Sequence, residues 1–89
     1  MRIKANYVLK TIGSNIVVVP LKEEALRFNG IISLNKTGQF LFELLQKEDL
    51  TEVELLSKVL DKYEVDELQA SKDIKAFINE CKKNQIINE

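Results

Sequence analysis

The chain has 89 residues, of which 45% are hydrophobic and 30% charged, and its formal net charge is −1. A chain of this length buries enough surface for one modest core, so we expect a single domain spanning residues 1–89. Charges of both signs are interspersed along the sequence, which argues against nucleic acid or a membrane surface as a partner. The longest apolar run, residues 16–19, is far shorter than the ~20 residues that cross a bilayer.

The residue types that most often carry chemistry are scarce. The chain contains no histidine, the commonest general base and metal ligand, and one cysteine, Cys81. The glycines at 13, 30 and 38 do not match a phosphate-binding loop. The first ten residues lack the apolar segment of a secretory signal, and a lone cysteine suits a reducing compartment. We therefore expect a cytoplasmic protein that is not an enzyme and needs no metal or cofactor.

The beginning of the chain predicts a β-hairpin. Residues 6–12 alternate partly between apolar and polar side chains, and residues 16–19 form a β-branched run that Pro20 ends. Between the two runs, Gly13-Ser14 suits a two-residue type II′ turn, because glycine tolerates the positive φ that this turn requires.

A third strand is predicted to follow a second turn. Asn29-Gly30 is a strong hairpin signal, so we expect residues 31–34 to return beside the hairpin. Residues 21–28 fit either one helical turn or a strand that enters this second turn.

A helix is predicted to begin directly after the third strand. Asn35 is a suitable N-cap, because its side-chain oxygen can accept a hydrogen bond from a first-turn N–H. Gly38 lowers helix propensity by about 1 kcal/mol relative to alanine, which indicates that a neighbouring group needs the space. The apolar residues that follow lie on one helical stripe: Phe40, Leu41, Leu44 and Leu45.

Two more helices are each preceded by a capping signal. Thr51 and Glu54 form a capping box before the second helix, and Asp66 and Gln69 form a similar pair before the third. The apolar stripe of the third helix comprises Ala70, Ile74, Phe77, Ile78 and Cys81, which makes Cys81 a buried structural thiol.

The third helix is predicted to end at Lys82-Lys83-Asn84. Cations favour the negative end of the helix dipole, and Asn84 can take the left-handed conformation that ends a helix. Residues 86–87 are expected to add a short strand or a docked tail.

The sequence as a whole therefore predicts an α+β, winged-helix-like fold, with an N-terminal three-stranded antiparallel β-sheet followed by three α-helices. A winged helix that reads DNA normally carries a basic recognition helix. Here Lys58 and Lys62 of the second helix are balanced by acidic neighbours, so a nucleic-acid binder is an alternative that the charges disfavour.

The segment Leu34-Asn35-Lys36-Thr37-Gly38 and the aromatic, leucine-rich helix after it resemble the PqqD-like family, also called RiPP recognition elements. The family pattern continues with an Asp-apolar-x-x-Phe group, matched by residues 73–77, and with an apolar pair, matched by residues 86–87. The resemblance implies a small, cytoplasmic, non-catalytic module. Such a module captures the leader segment of a precursor peptide and presents it to a modifying enzyme, commonly a radical SAM enzyme.

Three positions depart from the family pattern. Lys36 stands where the family often has an acidic residue, and Phe42 stands near a frequent tryptophan. Gln85 stands where a glycine usually precedes the terminal apolar pair.

The resemblance also implies strand addition as the binding mode, in which the leader pairs along the third strand and inserts side chains beside the third helix. Of the two flanks of that helix, we expect the one with Ser71 and Lys75 to line the groove, rather than the one with Asp73, Phe77 and Glu80. The expected peptide-binding residues are Gly30, Ile31, Ile32, Ser33, Leu34, Ser71, Ile74, Lys75 and Ile78. A module that pairs with its own copy as a homodimer through the same strand edge stays open as an alternative.

Overall fold

The computed structural model describes residues 1–27 and 32–88. Within these ranges the strands are β1 (Arg2–Ile3), β2 (Tyr7–Ile12), β3 (Asn15–Pro20), β4 (Ile32–Leu34) and β5 (Ile87–Asn88). The helices are α1 (Glu24–Arg27), α2 (Lys36–Lys47), α3 (Glu52–Lys62) and α4 (Glu67–Lys83). The predicted α+β fold is confirmed, and α2, α3 and α4 are the three expected helices.

The main sheet is antiparallel with the strand order β2-β3-β4. Ile12 lies opposite Asn15, so Gly13-Ser14 is the two-residue loop, and Gly13 has a φ of +62°. This confirms the predicted hairpin, in which glycine is favoured because the first loop residue has a positive φ. The predicted Asn29-Gly30 turn lies outside the described residues.

The segment between the hairpin and β4 contains a helical turn, which was one of the two expected alternatives. This turn, α1, is joined to the sheet by the Tyr7 hydroxyl, which donates a 2.8 Å hydrogen bond to the Glu24 carboxylate. Arg27 also pairs with Glu24.

The two faces of the main sheet differ in what they contact. Tyr7, Val18 and Ile32 lie on one face and belong to the core, and Leu34 on the same face is half-buried. Ser33 lies on the opposite face and is exposed. Of the two alternating sets in the third strand, the set with Ile32 and Leu34 therefore faces the core.

The predicted helix starts are confirmed by their capping hydrogen bonds. The Asn35 side chain accepts from the Gly38 N–H at 2.8 Å, and both bonds of the Thr51–Glu54 capping box are present. Asp66 caps α4 by accepting from the Gln69 N–H at 3.1 Å. The Gln69 side chain donates to Asp73 instead of completing a second capping box.

The end of α4 differs from the prediction by one residue. Asn84 has a φ of −96°, and it is Gln85 that takes the left-handed conformation with a φ of +58°. The Ile86 N–H donates to the Cys81 carbonyl at 2.9 Å, and the Gln85 N–H to the Lys82 carbonyl at 3.0 Å. These two bonds form a Schellman motif, which places its left-handed residue one position beyond the helix cap.

The two ends of the described chain pair as a second sheet. β1 and β5 are antiparallel, with Ile3 opposite Ile87, and the Lys4 N–H donates to the Ile86 carbonyl at 2.8 Å. The short strand was one of the two alternatives expected at residues 86–87, and it lies at Ile87–Asn88. Its partner β1 was not expected, because two residues carry no readable alternation.

The core lies between the main sheet and the three long helices. Its fully buried side chains come from all three helices and from the chain end: Leu41, Phe42, Leu45, Leu55, Val59, Ile74, Cys81 and Ile86. Among the described residues, no helix is long and apolar enough to span a membrane.

Candidate binding groove

The outer edge of β4 is open within the described part of the chain. β4 pairs with β3 on one side, and no described strand pairs with it on the other. An edge of this kind presents backbone N–H and C=O groups to which another extended chain can add.

The hairpin register determines which β4 groups point outward. In a two-residue hairpin, the two residues that flank the loop form a hydrogen-bonded pair, in which each donates to and accepts from the other. Along the two strands, hydrogen-bonded and non-hydrogen-bonded pairs then alternate. The bond from the Leu21 N–H to the Asn6 carbonyl, at 2.7 Å, agrees with this alternation. Val17 therefore directs its backbone groups toward β2, and Ser33, opposite Val17, directs its own N–H and C=O away from β3.

A groove of about 230 Å³ lies beside this edge, between β4, the start of α2 and α4. Its wall on the strand side carries the core-facing residues Ile32 and Leu34 together with Ser33. The groove residues from the helices and from the α2 cap are Asn35, Thr37, Gly38, Asp73, Ala76, Phe77, Glu80 and Cys81.

Gly38 allows α2 to start close against β4. A Cβ atom at this position would lie 3.3 Å from both Cβ and Cδ2 of Leu34, and 3.3 Å from Oδ1 of the capping Asn35. These distances are shorter than ordinary van der Waals contacts, which confirms that a neighbouring group needs the space. The strand therefore turns directly into the helix, and Leu34 stays at the groove wall.

The groove has an apolar floor. Ile32 and Phe77 are each 7% exposed, and Cys81 is 1% exposed. Burial, and secondarily the charge of Glu80, raise the pKa of the Cys81 thiol to about 12. The thiol is therefore protonated at neutral pH, so it contributes apolar surface rather than a nucleophile.

The rim on the α4 side is acidic. Asp73 and Glu80 are seven residues apart, which places them two turns apart on one side of α4, with Ala76 and Phe77 between them. Each carboxylate accepts a hydrogen bond from its own helix or helix end, Asp73 from Gln69 at 2.9 Å and Glu80 from Asn84 at 3.3 Å. Neither forms an ion pair within residues 1–27 and 32–88.

The structure places the expected site residues in different regions. Ile32, Ser33 and Leu34 line the groove, whereas Gly30 and Ile31 lie outside the described residues. Three of the four expected helix residues line a separate cavity of about 400 Å³ between α3 and α4: Ser71, Ile74 and Lys75. Ile78 is 4% exposed in the core, and Ile74 is 0% exposed.

Ser71 and Lys75 are therefore not brought to the groove beside β4, and Ile74 and Ile78 share the core with Ile32 without lining the groove. Lys75 points toward α3, where its Nζ lies 2.9 Å from the Glu52 carboxylate. The helix residues beside β4 are Asp73, Ala76, Phe77 and Glu80, which form the flank that sequence reasoning set aside. Their only signal in the sequence was the Asp73–Phe77 group of the family pattern.

The described lining of the groove contains no histidine, and its one thiol, Cys81, is protonated at neutral pH. Across the two described ranges, no three side chains of the metal-binding types lie close enough together to hold an ion. An open strand edge beside an apolar floor is an arrangement suited to binding an extended peptide.

Comparison with known proteins gives a family match and a similar solved structure. Residues 15–87 match the family model described as coenzyme PQQ synthesis protein D (PqqD). The fold is similar to the solved structure of TbiB1 in complex with the TbiA(beta) leader peptide, with a TM-score of 0.69 and 19% sequence identity. That match covers 97% of this chain and 93% of TbiB1. The search of curated proteins found no match.

Proposed function

Because this chain belongs to the PqqD family, we propose that it is a non-catalytic module that captures the leader segment of a ribosomally made precursor peptide. The observation that carries the proposal is the open edge of β4 beside the apolar groove. A solved protein of similar fold was determined with a leader peptide, which supports the same class of ligand here.

The leader binds as a fourth strand of the main sheet. Its backbone exchanges hydrogen bonds with the outward N–H and C=O of Ser33, which β3 leaves unpaired. One leader residue lies opposite Ser33. The leader residues directly before and after it have their side chains on the same face of the sheet as Ile32 and Leu34, because side chains alternate along a strand. These two leader residues enter the groove and contact Phe77.

The helix part of the site is the flank of α4 that lines the groove, comprising Asp73, Ala76, Phe77 and Glu80. Ser71 and Lys75 lie on the opposite flank, against α3. A leader seated on β4 therefore leaves the α3–α4 surface accessible. This arrangement suits an adaptor, because a modifying enzyme can contact the protein while the leader is held.

The protein works in the cytoplasm with a separate modifying enzyme, in the manner of the family. A radical SAM enzyme is the class of partner that the family resemblance favours. Cys81 supports a reducing compartment, because the chain has no second cysteine with which to form an internal disulfide.

The proposal is tested by NMR titration of the isotopically labelled protein with the leader of a short peptide encoded next to it. We expect saturable shifts at Ile32–Leu34 and at residues 73–80, with the hairpin loop at Gly13-Ser14 unchanged as the internal control. A titration that leaves the β4 amides unchanged would contradict the site. Line broadening that depends on protein concentration, without a peptide effect, would favour self-pairing through the same edge.

A further inference from the structure

The charge of the groove rim restricts which leader sequences fit. The groove has an apolar floor, and its lining within the described part of the chain includes two carboxylates but no lysine or arginine. The chain as a whole carries 13 cationic and 14 acidic residues. The excess of acidic residues at the rim is therefore a local feature and does not reflect the overall composition.

Asp73 and Glu80 lie on either side of the apolar part of the groove. Seven helical residues span about 10 Å along the axis, and a strand covers about 6.7 Å between residues i and i+2. Two leader side chains at i and i+2 can therefore occupy the floor between Asp73 and Glu80. The next residues on the same face, at i−2 and i+4, then come within reach of the carboxylates.

We propose that this groove selects leaders in which two apolar residues at i and i+2 are flanked on the same face by lysine or arginine. This inference rests on the proposed function and specifies the peptide that the site prefers. A lysine or arginine also has a long apolar stem, which can cover Ala76 while its charged end reaches Asp73 or Glu80. An acidic residue at the same place is disfavoured by like-charge repulsion in a partly desolvated groove.

The test is a selection from a phage-displayed library of random 12-residue peptides on the immobilised protein. We expect the enriched peptides to share an alternating apolar pair with a basic residue two positions away. The same selection on the double variant D73N/E80Q is expected to retain the apolar pair and lose the basic preference.

A matched control changes the same number of charges outside the groove. Asp61 and Glu64 are exposed and lie away from the groove lining, so D61N/E64Q should keep the basic preference. In a synthetic copy of the best peptide, replacing the flanking lysine by glutamine should weaken binding to the wild type by about two- to fivefold at low salt. The same replacement should have no effect on binding to D73N/E80Q.

The outcomes separate the inference from the proposed function. If the library yields no peptide on any of the proteins, the peptide-binding function itself is contradicted. If apolar peptides are enriched without basic residues, or if the basic preference survives in D73N/E80Q, peptide binding stands and the selectivity of the rim is wrong.

Discussion

The backbone of Gln85 is strained by the way α4 ends. Its φ of +58° lies in the left-handed region, where a side chain costs energy that glycine does not. The two hydrogen bonds of the Schellman motif keep it there, since they hold Gln85 and Ile86 against the last turn. The departure from the family glycine therefore falls at the position where glycine has a physical advantage.

We expect Gln85→Gly to raise the free energy of unfolding by about 0.5–1 kcal/mol, because relief of the strain exceeds the added entropy of the unfolded chain. Urea denaturation measures the change. The matched control is Gln39→Gly in α2, which should lower stability by about 1 kcal/mol because that residue is helical. Equal effects of the two substitutions would contradict the assignment of strain to Gln85.

Tyr7 makes stability sensitive to alkaline pH. Burial, followed by the hydrogen bond to Glu24, raises its pKa from 10.0 to about 12. Between these values the unfolded chain releases the tyrosine proton while the folded chain keeps it. The contribution of the protonated Tyr7 to the free energy of unfolding is therefore fully present below pH 10 and is lost as the pH rises to about 12.

We expect the wild type to lose stability relative to Tyr7→Phe between pH 10 and 12, because phenylalanine has no proton to release. Denaturation series for both proteins at pH 9, 10, 11 and 12 measure the difference. If the two proteins lose stability in parallel across this range, the alkaline sensitivity does not come from Tyr7.

At the scale of elements, β4 can be tested by removing one backbone donor. Proline at Ser33 removes the N–H that faces the open edge and leaves the ladder bonds to β3 intact. We expect Ser33→Pro to change the free energy of unfolding by no more than about 1 kcal/mol and to weaken leader binding at least about tenfold. Ser33→Ala keeps the N–H and should bind within about twofold of the wild type.

Fluorescence anisotropy with a labelled leader measures the binding, and urea denaturation measures the stability. If proline unfolds the protein, the Ser33 N–H belongs to the ladder and the derived register of hydrogen bonds is wrong. If the proline variant binds normally, the leader does not pair with Ser33.

The sequence predicted best those elements whose signals are local. Asn35, Thr51 and Asp66 each cap a helix through bonds to residues three positions away, so sequence spacing is enough to find them. The β2–β3 hairpin was equally readable, because its loop consists of Gly13-Ser14. At the end of α4, the residue that takes the left-handed conformation depends on where the last helical turn ends. The preference of asparagine for this conformation did not determine that position, and Gln85 takes it instead of Asn84.

The groove flank of α4 could not be predicted from the helix alone. Asp73 and Lys75 lie on either side of the buried Ile74, and each flank carries charged and apolar side chains. Which flank meets β4 depends on how α4 crosses the sheet and α3. The crossing angle of α4 is set by the packing of the whole core, and the hydrophobic periodicity of the sequence does not reveal it.

At the scale of the whole molecule, the ribbon of β1 and β5 joins the two ends of the described chain to the core. Ile3 is 5% exposed and Ile87 is 7% exposed, although each belongs to a strand of only two residues. Ile86, directly before β5, is fully buried, and its carbonyl accepts the bond from the Lys4 N–H. Short terminal strands therefore contribute to stability through their side chains.

We expect Ile3→Ala to lower the free energy of unfolding by about 2–4 kcal/mol, because it removes a buried side chain from the core. Ile12→Ala is the matched control, since Ile12 is 55% exposed at the end of β2, and it should change stability by about 0.5 kcal/mol or less. Urea denaturation of the two variants measures the contrast. Similar losses would mean that the terminal ribbon is not part of the cooperative fold.

The outward backbone groups of the described β4 residues affect how the protein discriminates among the many extended chains of a cell. Among the described β4 residues only Ser33 turns both backbone groups outward, and two hydrogen bonds contribute about 1–3 kcal/mol in total. Association costs at least about 4 kcal/mol in lost translational and rotational freedom. The two bonds to Ser33 alone therefore do not keep an arbitrary strand bound, and residence depends also on the side chains that the strand places in the groove.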